Sequence, residues 1–534
     1  MQVRWVALND RTLNRTSVGV TVRQNTPNID HPALNKAGIQ MEAQKTSDPL
    51  AARVSDVLTD FIDWLNGYGE KSWDFQSFFA GPVGGRAKAL YYRHRLVGTA
   101  AVAPMIFCEA FLPAARRLFH HPMRFPIADA HYAMGFAFLY QATGDFSQLE
   151  NAIHFLTELK ESRCPKFKEY CWGYPFDWVW RGGTIKQETP LITTTPYVCE
   201  AFLQVAELLD QRSEIRDQRS DTNQNVAQRP KLNAQRSTPK EFASRQSNGR
   251  QAAAELVERN SDLRPLTSDL CAMDIAASIA RHAATDIKDF RTSETASSCS
   301  YTPFDEGRVL NASAYRAFLL TSASKVFSKE DYWRIAERNL NFVLENQNAD
   351  GSWFYAVDGA RDFIDHFHTC FVMKALAKIH SLTGDTEVLE ALTKGVSYYV
   401  NNLFEEDGLP KPFSKAPRLT VYKRELYDCA ECINLCLLLR DRFPQLEATL
   451  EKVVAEILGA WVKRDGSFRS RKLHLGWDNV PMHRWGQAQM FRSLAFYLCE
   501  TSKHRDQRSE VSGQKSGWTA QGREPRTLVE SQLK

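Results

Sequence analysis

Asp358, Asp362, Asp365, His366 and His368 form the densest run of titratable side chains in the chain. A carboxylate beside an imidazole can accept, hold and return a proton, which is the work of general acid–base catalysis. The run falls just ahead of a helical pattern, so Asp362 or Asp365 is expected to serve as its N-cap, leaving a spare acid beside two histidines. Asp365 is expected to act as a general acid or base and His366 or His368 as a proton shuttle. The two imidazoles point to different sides of a first turn, which argues against a shared metal ion. A second cluster spans Cys171–Arg181, with Trp172, Tyr174, Asp177, Trp178, Trp180 and Arg181 within one short loop. Indole faces stack on sugar C–H surfaces, and Asp177 is a second choice for the acid or base. The same loop reads equally well as a plug of inward aromatics with Asp177 and Arg181 paired. A third group gathers Tyr422, Tyr427, Asp428 and Glu431, with His483, Arg484 and Trp485 further on. Here Tyr422 or Tyr427 is the proton donor. Trp172, Trp178, Trp353 and Trp485 are the sugar platforms, and Arg181 and Arg484 would bind an acidic substituent. Two carboxylic acids across a cleft would suit glycoside hydrolysis. A histidine or tyrosine with a neutralising arginine would suit β-elimination or epimerisation. Both sets are present, and the residues leave the choice open.

These groups are far apart in sequence, so the fold must collect them. Helices rich in small residues begin near Asn311, His366, Tyr427 and Trp485, spaced roughly 55–61 residues apart, a period that suits a helical hairpin with one sizeable loop. Asp350-Gly351-Ser352-Trp353, Asp407-Gly408-Leu409 and Asp465-Gly466-Ser467-Phe468 mark equivalent turns. Further starts near His131 and Tyr197 make six, each with an amphipathic companion. Six inner and six outer helices predict an all-α (α/α)6 toroid, whose rim brings the Trp172–Asp177 and Asp365–His368 stretches to one end. Asp305-Glu306-Gly307-Arg308 reads as loop capping and ion pairing. Cys429, Cys432 and Cys436 have the i, i+3, i+7 spacing of a packed helix face and read as core thiols.

The phrases Cys171-Trp172-Gly173-Tyr174-Pro175-Phe176-Asp177-Trp178, Asp362 to Thr369 and Trp485-Gly486-Gln487-Ala488-Gln489-Met490 carry a likeness. The layout resembles the toroid of the six-hairpin glycosidase superfamily over roughly residues 50 to 500, and is similar to poorly characterised bacterial proteins of exopolysaccharide clusters. That resemblance implies a site in the funnel formed by loops leading into the inner helices. A weaker likeness, in Asn341 to Trp353, is to the Gln-Trp repeat of triterpene cyclases, where the motif ties hairpins together. The Asp-x-Asp-Asp acid run of those enzymes is absent, and no membrane-docking apolar patch is evident in the sequence.

With 67 Lys and Arg against 63 Asp and Glu, the net charge of +4 gives no reason to expect nucleic acid as a partner. Eleven cysteines without framework spacing suit reduced thiols in a cytoplasmic protein. No run of about 18 apolar residues predicts membrane insertion. The expected organisation is a flexible leader over 1–48, toroid over 49–209, a disordered polar insertion over 210–255, toroid again over 256–502 and a disordered tail over 503–534. The function expected is that of a carbohydrate-active enzyme of polysaccharide metabolism, a hydrolase, lyase or epimerase on a neutral or acidic saccharide, without cofactor or metal. The alternatives are a non-catalytic polysaccharide-binding scaffold and a terpenoid-cyclase-like protein. Oligomeric state is not legible.

Overall fold

The computed structural model describes residues 48–227 and 271–518, so the expected leader and most of the polar insertion lie outside the described residues. In chain order the helices are α1 (Pro49–Tyr68), α2 (Pro82–Arg93), α3 (Arg95–Phe111), α4 (Pro126–Thr143), α5 (Phe146–Glu161), α6 (Thr195–Ala227) and α7 (Ala272–Thr285). They continue as α8 (Leu310–Phe327), α9 (Glu330–Glu345), α10 (His366–Thr383), α11 (Thr386–Asn402), α12 (Leu426–Leu439), α13 (Gln445–Glu456) and α14 (Ala488–Trp518). Helix α6 runs on to Ala227, and α14 to Trp518, past the ends at Leu209 and 502 that the polar composition implies.

The even-numbered helices from α4 to α14 form a closed ring: each touches the next, and α14 returns to α4. Outside them lie α5, α7, α9, α11, α13 and α1, each against its inner partner. The protein is therefore an all-α (α/α)6 toroid, as the repeat predicts. Composition explains the layering. Helix α12 buries 13 of its 14 residues and is rich in Cys, Ala and Leu, whereas α9 buries one stripe, including Ala336, Leu340 and Val343. The inner-to-outer turns repeat one device. Gly144 and Gly384 end α4 and α10, and the following Asp145 and Asp385 cap α5 and α11 with side-chain hydrogen bonds.

The Asp-Gly-Ser turns join neighbouring hairpins. Asp350 and Asp465 each accept from the backbone and hydroxyl of the serine two residues on. Gly351 and Gly466 stand at φ of 90° and 85°. A Cβ on Gly351 would meet the Lys394 carbonyl of α11 at 2.3 Å, and one on Gly466 the Asp60 carbonyl of α1 at 2.3 Å. The second contact closes the ring, because α1 belongs to the start of the chain. Gln347 reaches the Ala391 carbonyl of the next outer helix at 2.9 Å, so the Gln-Trp phrase does tie hairpins here.

Behind the last loop, Glu70 bridges His154 Nε2 on α5 at 2.7 Å and the Arg124 guanidinium. Burial pushes the Glu70 carboxyl up, but the His154 hydrogen bond and the Arg124 charge more than reverse this and hold it at about 2, below the ordinary 4.5. Burial lowers His154, and Glu70 more than reverses that, leaving it above 6.5. Glu70 thus contributes stability that is present above pH 4.5 and lost as pH falls toward about 2. His154 contributes stability that is full below pH 6.5 and lost as pH rises through its raised value. Denaturation measured across pH should show a plateau between these limits. In Glu70→Gln the acid limb should flatten by on the order of 3 kcal/mol.

Candidate functional site at the rim of the ring

The loops entering the inner helices pair with one another in succession around one end. Ile192 N–H donates to the Tyr301 carbonyl, and Val309 bridges Ala356. The strand Ile364–Asp365 pairs with Phe413–Lys415, and Tyr422–Glu425 pairs with Arg471–Leu473. His483 N–H then donates to Ser72 Oγ. This continuous collar holds the rim residues.

Asp365 is the N-cap of α10. Its Oδ1 accepts from the His368 backbone N–H at 3.0 Å, and its Oδ2 holds His368 Nδ1 at 2.6 Å. Asp365 is buried, while the His368 side chain keeps 22% exposure, and among the described residues its Nε2 has no protein partner. The dyad lines a narrow, half-open crevice with Asn311, Tyr355 and Phe363. One end of the buried Asn311 amide has no hydrogen-bond partner there. Tyr355 meets the His368 ring edge-on at 4.6 Å. An imidazole fixed by a carboxylate on one nitrogen and open on the other is a positioned proton-transfer group.

Beside it lies an aromatic floor. Tyr427 and Trp485 stack at 4.4 Å and 6°, and Phe367 meets both edge-on at 5.3 Å. Burial, then the nearby Glu431 charge, pushes the Tyr427 hydroxyl well above 10. Gly486, at φ 144°, allows the kink that presents Trp485 ahead of α14. Asp428 is buried, and neither carboxyl oxygen has a hydrogen-bond partner. Burial, with the charges of Glu425 and Asp365, pushes its pKa well above the ordinary carboxylate range.

The structure brings the two expected stretches to the same end. The Arg361 guanidinium lies 5.4 Å from the Tyr355 ring and 5.8 Å from Trp180, in the hairpin that follows Asp177. It does not give every expected residue a ligand-facing position. Trp172 and Trp353 are buried, and each indole donates to the last turn of the preceding outer helix, to Leu159 at 2.8 Å and Val343 at 3.1 Å. His366 turns away from the rim, between the Leu403 carbonyl and the Tyr399 hydroxyl at 2.8 Å. Asp177 pairs with Lys186 at 2.7 Å on an open hairpin. Its slight burial is outweighed by the Lys186 hydrogen bond, which lowers the carboxyl below its usual range. Arg181 is exposed at the hairpin tip. Trp178 packs on Tyr174 and Tyr301. Tyr422 lies under the Arg471 guanidinium at 4.6 Å. Arg484 is fully engaged by Asp74, at 2.7 and 2.8 Å, inside a cage that includes Tyr174, Phe75 and Trp485. Asp305 staples its own loop, accepting from Tyr301, Thr302 and Gly307 N–H groups.

The ring interior is not apolar. His131 of α4, Tyr197 and Glu200 of α6, Tyr315 of α8, Lys374 and Lys378 of α10, Glu431 of α12 and Arg492 of α14 form a polar column. Lys374 pairs with Glu431, and Lys378 with Glu200. Tyr197 and Tyr315 share a 2.6 Å hydroxyl contact. Burial, then Arg492, pushes His131 well below 6.5 and keeps it neutral. Of these, Glu431 is grouped in the sequence with Tyr427 and Asp428, and His131 and Tyr197 appear only as helix starts. Asn311 appears there only as a helix start. Cys429, Cys432 and Cys436 are buried in α12 as core side chains.

No family model and no curated protein matches the chain. Among solved structures it is similar to cellobiose 2-epimerase from Bacillus thermoamylovorans B4167, at TM-score 0.47 and 9% identity over 71% of this chain and 88% of that one. It is also similar to a sugar epimerase from a ruminal bacterium, at 0.45 and 12% over 71% and 88%. An unsaturated glucuronyl hydrolase specific for heparin gives 0.44 and 10% over 72% and 88%. The likeness is one of helix layout; the chemistry rests on the side chains.

Proposed function

We propose that this protein is a carbohydrate-active enzyme that transfers a proton at a sugar carbon, by epimerisation or β-elimination, with His368 as the proton-transfer group. Asp365 orients His368, Asn311 hydrogen-bonds a substrate hydroxyl, and the Tyr427–Trp485 stack supports the ring. The observation that carries this reading is the state of the carboxylates around the rim. Asp74, Asp177, Asp358, Asp362, Glu425 and Asp478 are all ion-paired, with Arg484, Lys186, Arg361, Lys415, Arg471 and Arg116. Hydrolysis needs one ionised and one protonated carboxyl facing the same bond, whereas Asp365 is held by His368 and Asp428 is buried in α12, so neither carboxyl is presented to a glycosidic bond. The dyad instead offers a histidine base. Because Arg484 is already occupied, recognition of an acidic substituent does not depend on it.

Incubation with neutral and uronic-acid oligosaccharides in deuterated water tests this. The expected result is either an epimer with deuterium at the inverted carbon or a cleavage product with a ring double bond, read by its ultraviolet absorbance. New reducing ends with neither carbon-bound deuterium nor a double bond would make it a hydrolase, and binding without any product would make it a scaffold.

A further inference from the structure

We infer that the α2–α3 hairpin docks this protein on an anionic lipid surface, with the rim of the ring beside the headgroups. The hairpin is an insertion between α1 and α4 and takes no part in the ring. Helix α3 carries no charged residue from Leu96 to Cys108. Only Gly98, Val102 and Met105 of it are buried, against the small cluster around Phe78 and Ala87. Ala101 and Cys108 are half-buried against the same cluster, and the helix's other large apolar side chains face outward. Leu96 is 88% exposed, Leu118 87% and Phe107 56%, with Val97, Phe111 and Leu112 also open. Soluble surfaces scatter such residues singly; here they are contiguous along one helix and the turn after it.

The charge around this face has one sign. From Pro82 to Leu118 the only acid is Glu109, and it is bound to Arg471 at 2.9 Å. Arg86, Arg93, Arg95 and Arg117 are exposed and, among the described residues, make no ion pair with the protein. Apolar side chains flanked by unpaired arginines are the pattern of a helix lying in the plane of an anionic bilayer. A two-fold pairing of two copies through this face would set the arginine belt against itself. The hairpin is continuous with the rim: Glu109 holds Arg471, whose guanidinium covers Tyr422, and Arg117 lies 5.0 Å from the Trp73 ring. Among the described residues no helix is long and apolar enough to cross a membrane, so the contact is with the surface. The apolar patch emerges only because the ring leaves this segment uncovered.

Flotation of the full chain with vesicles of phosphatidylglycerol and phosphatidylcholine in equal parts provides the test. The wild type should float with these vesicles and not with phosphatidylcholine alone. Phe107→Glu/Phe111→Glu should stay behind. Arg86→Gln/Arg93→Gln/Arg95→Gln should lose roughly a hundredfold in partitioning, at about 1 kcal/mol per arginine. Slowed amide exchange over 95–112 on vesicles, measured on the wild type, is expected and needs no folded variant. Absence of flotation, equal flotation of the Phe107/Phe111 variant, or flotation on neutral vesicles alone would overturn the inference. So would lipid-free dimerisation abolished by the same two substitutions, which would assign the face to a second copy. Proton exchange on soluble sugars is read without lipid, so the two proposals fail separately.

Discussion

His368→Gln lowers turnover by about 10³-fold while leaving the melting temperature within a degree or two of wild type. Glutamine keeps roughly the size of the side chain and can still donate an amide N–H to Asp365, but it cannot carry a proton between water and substrate. Because His368 is partly exposed and lies against a crevice, its removal opens no sealed cavity. Asp365→Asn separates orientation from structure. The amide can still cap α10 through its oxygen, yet it no longer fixes the imidazole with a carboxylate, so turnover should fall less than in His368→Gln. Steady-state kinetics on the substrate found by the deuterium screen, alongside circular dichroism, would check both. Full activity in His368→Gln would remove the dyad from the mechanism. His366→Ala, in contrast, should act on stability, since that ring bonds the Leu403 carbonyl and the Tyr399 hydroxyl deep in the wall.

Lys374→Met destabilises the fold by about 3–5 kcal/mol, because it strands the Glu431 carboxylate in the ring interior. The two side chains are 4% and 0% exposed, so water cannot take over the lost partner. Burial pulls Lys374 down, but the Glu431 and Tyr197 fields more than reverse this and keep it charged. The double variant Lys374→Met/Glu431→Leu should recover most of the loss, since apolar pairs of similar volume often match a buried ion pair. Denaturant titration of the four proteins gives the coupling directly. A single variant within about 0.5 kcal/mol of wild type would mean that the pair is hydrated and contributes little.

The pattern of what the sequence discloses follows from distance along the chain. Helix starts and the Asp365–His368 pairing are local: small-residue periodicity sets the first, and an N-cap three residues before a histidine sets the second. Arg484 and Asp74, or Arg116 and Asp478, are joined only by ring closure, so nothing near either partner announces the other. The aromatic loops mislead for another reason. Trp172 and Trp353 sit in glycine-containing turns like those expected at a sugar site, but their indoles stitch each loop to the helix before it. An indole fills a core or meets a ligand with the same ring, and only the backbone path decides which.

The contact between Gly466 and Asp60 sets the order in which this molecule can be completed. Helix α1 is made before every helix of the ring, yet its neighbours there, α14 and the turn at Gly466, follow all the other hairpins. Until they emerge from the ribosome, the flank of α4 that receives α14 stays uncovered, a long interval for an apolar surface to wait. A circular permutant that joins the two ends and opens the chain between α9 and α10 would shorten that interval, and should refold with less aggregation than the natural order.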